Sequence, residues 1–161
     1  MKLLAAIVLG GVMTATSWAD TVKITVVHGA GGTRAPSASA AYVVEAGQSR
    51  VFDGMQTLKF SPTAGDCSGV DTSKLEREAR DGEMLHVSTS QLVDGQVLIR
   101  LEYEHRKFLG TTEHQFNQGC RVNNPSSHMV SFTQTSSLRK GEQPVLLRSS
   151  PDLDVSGVIE P

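Results

Sequence analysis

The chain has 161 residues, with 15 Lys and Arg residues against 17 Asp and Glu residues and a formal net charge of -2. This length suffices for one domain with a real hydrophobic core. The balanced charge argues against a dedicated nucleic-acid binder, which carries a basic surplus. The aromatic content of 5% argues against recognition of sugars by stacking.

Residues 1–19 are predicted to be a cleaved signal peptide. Lys2 supplies a positive start, residues 3–12 form a short apolar run, and Ser17-Trp18-Ala19 ends the segment with small residues at the two cleavage positions. The run is shorter than the roughly 20 apolar residues of a transmembrane helix, so no integral membrane span is expected. Cleavage makes Asp20 the first residue, which excludes a lipid anchor on an N-terminal cysteine. We therefore expect a periplasmic or secreted protein.

Cys67 and Cys120 are the two cysteines of the chain. In an oxidising compartment an even pair of cysteines predicts a disulfide. Closing a loop of this length stabilises a fold by about 4 kcal/mol in the chain-entropy description.

Residues 20–161 are predicted to form a single β-rich domain. Val22, Ile24 and Val26 alternate with polar residues over 21–27, which predicts a half-buried strand. Residues 29–41 contain mainly Gly, Ala, Ser and Thr, and predict a flexible loop. Three short strands are expected to follow at 42–45, 50–52 and 57–60, separated by turns at 46–48 and at Asp53-Gly54.

One short helix is predicted near 73–80. Ser73 can cap it and Glu76 can complete a capping box. Leu75 and Ala79 lie four residues apart and so share one helical face, and Gly82 would end the helix.

The strand pattern resumes after this helix. Further strands are predicted at 84–87, 91–93, 129–133 and 145–148, with a hairpin turn at Asp94-Gly95, a loop at 123–127 and a turn at Lys140-Gly141. The clearest strand has Val97, Ile99, Leu101 and Tyr103 on one face and charged residues on the other. Residues 150–161 are predicted to be a loose tail, with an edge strand as the alternative.

The strand from Val97 is predicted to turn back at Leu109-Gly110, over roughly 97–106 and 113–122. In this register Tyr103 faces Phe116, and His105 faces His114 at a Cβ separation of about 5 Å. Two imidazoles so placed are candidate ligands of a weak metal site, but a register shifted by two residues satisfies the same apolar pattern. The sequence favours a polar end to the core face over a metal site.

These observations predict a mainly β fold, either an antiparallel β-sandwich or a partly open barrel, with the short helix near 73–80. No nucleophile, acid–base pair or cofactor motif accompanies the strands, so neither catalytic residues nor cofactors are predicted. The favoured function is protein–protein contact with another envelope protein. A small periplasmic hydrolase built around histidines, and a His-based metal-binding module at His105 and His114, are the alternatives.

Residues 82–102 contain a strand that begins with glycine and contains Leu85 and Val87, then Asp94-Gly95, and then a strand alternating from Val97. This order resembles a strand–turn–strand segment of the outer-membrane secretin family, and residues 138–147 are similar to the strand that follows it there. The resemblance covers less than half of the chain and carries over no site residue. It implies a small envelope protein of secretin-like β topology that serves secretion or pili.

Overall fold

The structure is a computed structural model that describes residues 20–29, 38–62, 67, 70–91, 93–116, 119–150 and 153–160. These residues form two antiparallel sheets, which confirms the mainly β, sandwich-like prediction. The predicted signal peptide lies outside the described residues. The strands are β1 (Thr21–His28), β2 (Ala38–Glu45), β3 (Ser49–Asp53), β4 (Gln56–Phe60), β5 (Arg77–Gln91), β6 (Gln96–Gln115), β7 (Arg121–Arg139), β8 (Val145–Ser150) and β9 (Leu153–Glu160).

The smaller sheet has the strand order β2-β1-β9-β8. The prediction of a loose tail over 150–161 is therefore wrong, because β9 is an inner strand between β1 and β8. Leu153, Val155 and Ile159 alternate along it and are all buried. Gly157 continues the same face and lies against three leucine and isoleucine side chains, which leave little room for a larger residue.

The larger sheet has the strand order β3-β5-β6-β7, and β4 pairs with the first part of β5. The turn between β5 and β6 holds Asp94 at φ 73° and Gly95 at φ 70°, which confirms the predicted Asp-Gly hairpin. β6 and β7 pair from Gln96 and Arg139 to Gln115 and Arg121, and so form one long hairpin.

The main core lies between the sheets. The alternating face predicted for β6 is confirmed, since Val97, Ile99, Leu101 and Tyr103 are at most 3% exposed. Fully buried Ile24 of β1 and Leu85 of β5 belong to the same cluster. Burial of such side chains contributes roughly 1.5–3 kcal/mol each, so this cluster is the chief source of stability.

A second, smaller cluster lies near the end of the long hairpin and contains Leu75, Cys120 and Val122. The predicted disulfide joins Cys67 to Cys120 with a Cα–Cα distance of 4.8 Å. It therefore ties the segment before β5 to the start of β7.

The helix predicted near 73–80 is wrong beyond its first turn. A 3-10 turn spans Thr72–Leu75 and is capped by Asp71 rather than Ser73, and Glu76 is already extended. Residues 77–81 are strand and pair with β4, where buried Ala79 lies opposite Leu58. Pairing with a neighbouring strand outweighs a short local pattern whose helicity needed packing to support it.

The hairpin tip predicted at Leu109-Gly110 is also wrong. Gly110, with φ 131°, lies at an irregularity in β6 and the strand continues to Gln115. The chain reverses later, where Phe116 N donates to the Cys120 carbonyl over 2.8 Å. Tyr103 therefore pairs with Phe132 instead of Phe116.

Two predicted loops contain strand residues. Of the predicted flexible loop 29–41, residues 38–41 belong to β2 and pair with β1, while 30–37 lie outside the described residues. The predicted loop 123–127 is strand throughout and lies within β7. Both β2 and β7 are edge strands, where small and polar residues are tolerated. Pro125 of β7 is tolerated for the same reason, because an edge strand does not need every N–H for pairing.

Candidate functional site

The outer face of the larger sheet carries an open groove of about 550 Å³. Strand alternation places one residue of β3, two of β5, two of β6 and two of β7 on this face, away from the core. The seven residues on this face are Val51, Met84, His86, Glu102, Glu104, Ser131 and Thr133, and the groove is also lined by Tyr103, whose side chain belongs to the core cluster, and by Phe132, which packs against that cluster.

Two of the lining residues, His86 and Glu102, belong to a hydroxyl–imidazole–carboxylate chain on this face of the sheet. Ser49 Oγ lies 2.8 Å from His86 Nε2, and His86 Nδ1 lies 3.4 Å from Glu102 Oε2. Ser88 Oγ is a second hydroxyl, 3.3 Å from His86 Nε2. Hydrogen bonds from His86 and then from Arg100 hold the pKa of the Glu102 carboxyl below its ordinary value.

The order of these groups matches that of a hydrolytic triad, in which imidazole accepts a proton from a serine and is oriented by a carboxylate. Acyl transfer also needs preorganised donors aimed at the developing oxyanion. The N–H groups of paired strands point along the sheet toward their neighbours, not out of the face that bears His86. Ser49 is exposed and the His86 and Glu102 side chains are 33% and 43% exposed, so water reaches all three groups.

A second polar cluster lies at the end of the core, between the two sheets, and is centred on Glu83 of β5. The carboxylate accepts hydrogen bonds from His28 Nε2 over 2.9 Å, from the Tyr103 hydroxyl over 3.2 Å and from the Tyr42 hydroxyl. His28 and Tyr42 belong to the smaller sheet, whereas Glu83 and Tyr103 belong to the larger one. Glu83 therefore links the two sheets.

The pKa values in this cluster follow from burial and hydrogen bonding. Burial raises the pKa of Glu83, but the hydrogen bonds from Tyr42, His28 and Tyr103 outweigh it and the net pKa is lowered. Burial and then the adjacent Glu83 raise the pKa of both tyrosines. The carboxylate is thus charged and both phenols are neutral at neutral pH.

His105 and His114 do not face each other. Both lie on β6, where His105 pairs with Val130 and His114 pairs with Val122. His105 closes the polar end of the core, its ring 5.0 Å from that of His28, and burial followed by the charge of His28 lowers its pKa. Among the described residues no group of three or more His, Cys, Asp or Glu side chains could hold a metal ion.

The free edge of β7 is the most extensive unpaired feature of the larger sheet. β7 pairs with β6 along one edge, and within the described part of the chain no strand pairs with its other edge. Val122–Leu138 is a run of 17 residues without Asp, Glu, Lys or Arg. Natural proteins commonly protect a long edge strand with charges, so an uncharged one is a ready template for another strand.

The outer face of β7 carries small hydroxyl side chains in succession. Ser131, Thr133, Thr135 and Ser137 occupy alternate positions and are all exposed. Met129 precedes them on the same face and is 52% exposed. The β7 edge, meaning the side of residues 122–138 that no described strand pairs with, is thus polar but uncharged, and its outer face carries one large apolar side chain, Met129.

The sequence did not predict this edge, because the composition of residues 123–127 is typical of a loop. The absence of charge from Val122 to Leu138 was the signal that could have found it. The position of a strand at the edge of a sheet depends on which strands pair, and one sequence does not give that order.

No helix in the described ranges is long and apolar enough to cross a membrane. The chain matches no protein-family model, no curated protein and no solved structure in the three comparisons.

Proposed function

We propose that this protein is an exported, non-catalytic envelope protein that acts by protein–protein contact, with the β7 edge as its contact surface. The observation that carries the proposal is the long edge of β7, which no described strand pairs with and which carries no charge between its two end arginines. Addition of a partner strand satisfies the free backbone groups of such an edge and supplies affinity through main-chain hydrogen bonds.

Three features support export. Residues 1–19 have the pattern of a signal peptide. Disulfides such as Cys67–Cys120 persist in oxidising compartments. Asp20, the expected first residue after cleavage, takes part in the fold: its carbonyl accepts from Ala46 N over 2.8 Å and its carboxylate accepts from Lys140 over 2.6 Å.

The resemblance of residues 82–102 to secretins leads us to assign the contact to a secretion or pilus assembly. This stretch forms most of β5 and the first part of β6, joined by the Asp94-Gly95 turn. The partner is expected to be another envelope protein that offers an extended segment.

The export part is tested by the mass of the protein recovered from the periplasmic fraction. We expect a chain that begins at Asp20 and contains the Cys67–Cys120 disulfide. An uncleaved chain confined to the cytoplasmic fraction would contradict export.

The contact surface is tested by a photo-crosslinking amino acid at Thr133 on β7, in cells that export the protein. A matched variant carries the crosslinker at Thr57, an exposed threonine on β4. We expect one adduct from position 133, mapped to an extended segment of its partner by mass spectrometry, and none from position 57. Equal labelling from both positions, or none from 133, would overturn the assignment of the β7 edge.

The groove supports a second candidate, a small hydrolase. Its motivating observation is the Ser49–His86–Glu102 chain, with distances of 2.8 Å and 3.4 Å. A hydrolase predicts that a fluorophosphonate probe labels Ser49, and that labelling disappears in Ser49→Ala but survives in Ser88→Ala. We expect no labelling of either serine, since the site lies on an exposed sheet face.

A further inference from the structure

We infer that the strand received by the β7 edge is β7 of a second copy of this chain, antiparallel about a two-fold axis at Thr133. This inference rests on the proposed function, which gives the contact surface, and takes the envelope protein that offers the extended segment to be a second copy of this chain. A strand that pairs antiparallel with its own copy generates a two-fold axis, which gives the isologous interface typical of homodimers. The larger sheets of two copies then join into one continuous sheet.

The first support is the self-complementary chemistry of the β7 outer face. About the axis at Thr133, each Thr133 faces its own copy, and Ser131 faces Thr135 of the second copy. A hydroxyl both donates and accepts hydrogen bonds, so identical or similar hydroxyl residues pair without conflict. A charged residue at the axis would face the same charge on the second copy.

The second support is the position of the residues that limit pairing. Arg121 and Arg139, at the two ends of β7, are its only Lys, Arg, Asp or Glu residues. The proposed register places Arg139 opposite Ser127 of the second copy and keeps Arg121 outside the paired segment. Pro125, which has no N–H to donate, also lies outside, and residues 127–139 of each copy pair without it.

The third support is the meeting of two exposed apolar side chains across the interface. Met129 is 52% exposed, and Leu98 of β6, which pairs with Ser137, is 37% exposed. The proposed register places Met129 opposite Ser137 of the second copy, beside its Leu98. Only the small Ser137 lies between them, so the long Met129 side chain reaches Leu98 and both lose contact with water, twice by symmetry.

The proposed register aligns the charges of β6 in two rows of opposite sign and one row of like sign. Arg100 pairs with Thr135, and Glu104 pairs with Ser131. Because Thr135 faces Ser131 of the second copy, each Arg100 shares a row across the interface with the Glu104 of the other copy. Two rows of the joined sheet therefore carry opposite charges at their ends, with two strands between them. The central row instead places Glu102, which pairs with Thr133, in line with the Glu102 of the other copy.

The register is tested by cysteine crosslinking of the full exported chain, whose two native cysteines are already paired. Directly opposed residues of antiparallel strands have Cα atoms about 4.5–5.5 Å apart, within disulfide range. We expect Thr133→Cys to form a disulfide-linked dimer under mild oxidation. Ser131→Cys and Thr135→Cys should each fail alone and crosslink when mixed. The register would be overturned if Thr133→Cys forms no crosslink while Ser131→Cys or Thr135→Cys crosslinks on its own.

The second copy itself is tested by sedimentation over a range of concentrations. We expect a monomer–dimer equilibrium whose dissociation constant rises by about tenfold or more in Thr133→Glu, where each new carboxylate faces its own copy and also pairs with Glu102. Thr57→Glu, the matched control on β4, should leave the constant unchanged. Circular dichroism of both variants checks that they fold.

A monomer at every concentration would overturn the second-copy inference. If a crosslinker at Thr133 then captures a mapped segment of a different envelope protein, the proposed function stands and only the identity of the partner fails. If neither experiment finds a partner at the β7 edge, both proposals fail.

Discussion

Replacement of Glu83 by glutamine tests how the two sheets are linked. Glu83 is the shared acceptor for His28 and Tyr42 of the smaller sheet and for Tyr103 of the larger sheet. Glutamine keeps the size of the side chain but offers one acceptor oxygen instead of two. Its amide nitrogen must then face a group that formerly donated to the carboxylate.

The magnitude follows from the number and type of these hydrogen bonds. Hydrogen bonds to a charged group contribute about 1.5–3 kcal/mol, and Glu83→Gln removes the charge and at least one acceptor position. Because a tyrosine hydroxyl can rotate to accept from the amide, we expect a net loss of about 2 kcal/mol rather than the sum over three bonds. Glu78→Gln on the same strand is the matched control. Its side chain is 61% exposed and 3.6 Å from Lys59, so the change should lie within about 0.5 kcal/mol.

Urea unfolding followed by circular dichroism between pH 7 and pH 3 measures both variants. The folded-state pKa of Glu83 lies below the ordinary 4.5, so its stabilising effect is complete above pH 4.5 and is lost as the pH falls through the folded pKa. The pKa of His105 in the folded state lies below 6.5. As the pH drops below 6.5, the unfolded chain therefore binds a proton at this histidine before the folded chain does, and stability also falls. Glu83→Gln should reduce the loss of stability below pH 4.5, and the remaining loss belongs to the other carboxyls with lowered pKa, Asp71 and Glu102. A Glu83→Gln protein as stable as Glu78→Gln, with the loss below pH 4.5 undiminished, would refute the link.

Three further changes test the packing. The double variant Cys67→Ala, Cys120→Ala removes a crosslink over a sequence separation of 53 residues and should lower the free energy of unfolding in urea by about 4 kcal/mol. A decrease below about 1 kcal/mol would contradict the chain-entropy explanation of the disulfide's effect. Gly82→Ala should destabilise the fold by about 2 kcal/mol or more, because φ is 124° and a Cβ would meet a backbone carbonyl. Gly141→Ala is the control and should cost less, because Gly141 has φ 80° but lies in open space; equal losses for the two variants would contradict the steric reason. Gly157→Ala should cost about 1–3 kcal/mol by overpacking the core, and an unchanged unfolding midpoint would show that its neighbours move aside.

The sequence alone predicted the features that depend on neighbouring residues. The alternation of Val97, Ile99, Leu101 and Tyr103 identified the buried face of β6, because a strand has a side-chain period of two. Asp94-Gly95 marked a hairpin because its geometry needs two residues at positive φ. The single pair of cysteines allowed one intramolecular disulfide, and the structure contains it.

Tertiary structure decided which strands became neighbours. Gly110 suggested a hairpin tip, yet β6 passes through it, because pairing with β7 extends to Gln115 and the reversal lies near the disulfide at Cys120. His105 consequently lies beside Glu83 of the neighbouring strand β5 and meets His28 across the core, instead of His114. Residues 123–127 lie in an edge strand and β9 lies inside a sheet. Strand pairing joins backbone groups that nearly all residue types share, so composition does not say whether a strand lies at an edge or inside. Local composition therefore does not determine which edge of a sheet remains free, and it is this free edge of β7 that supports the proposed function.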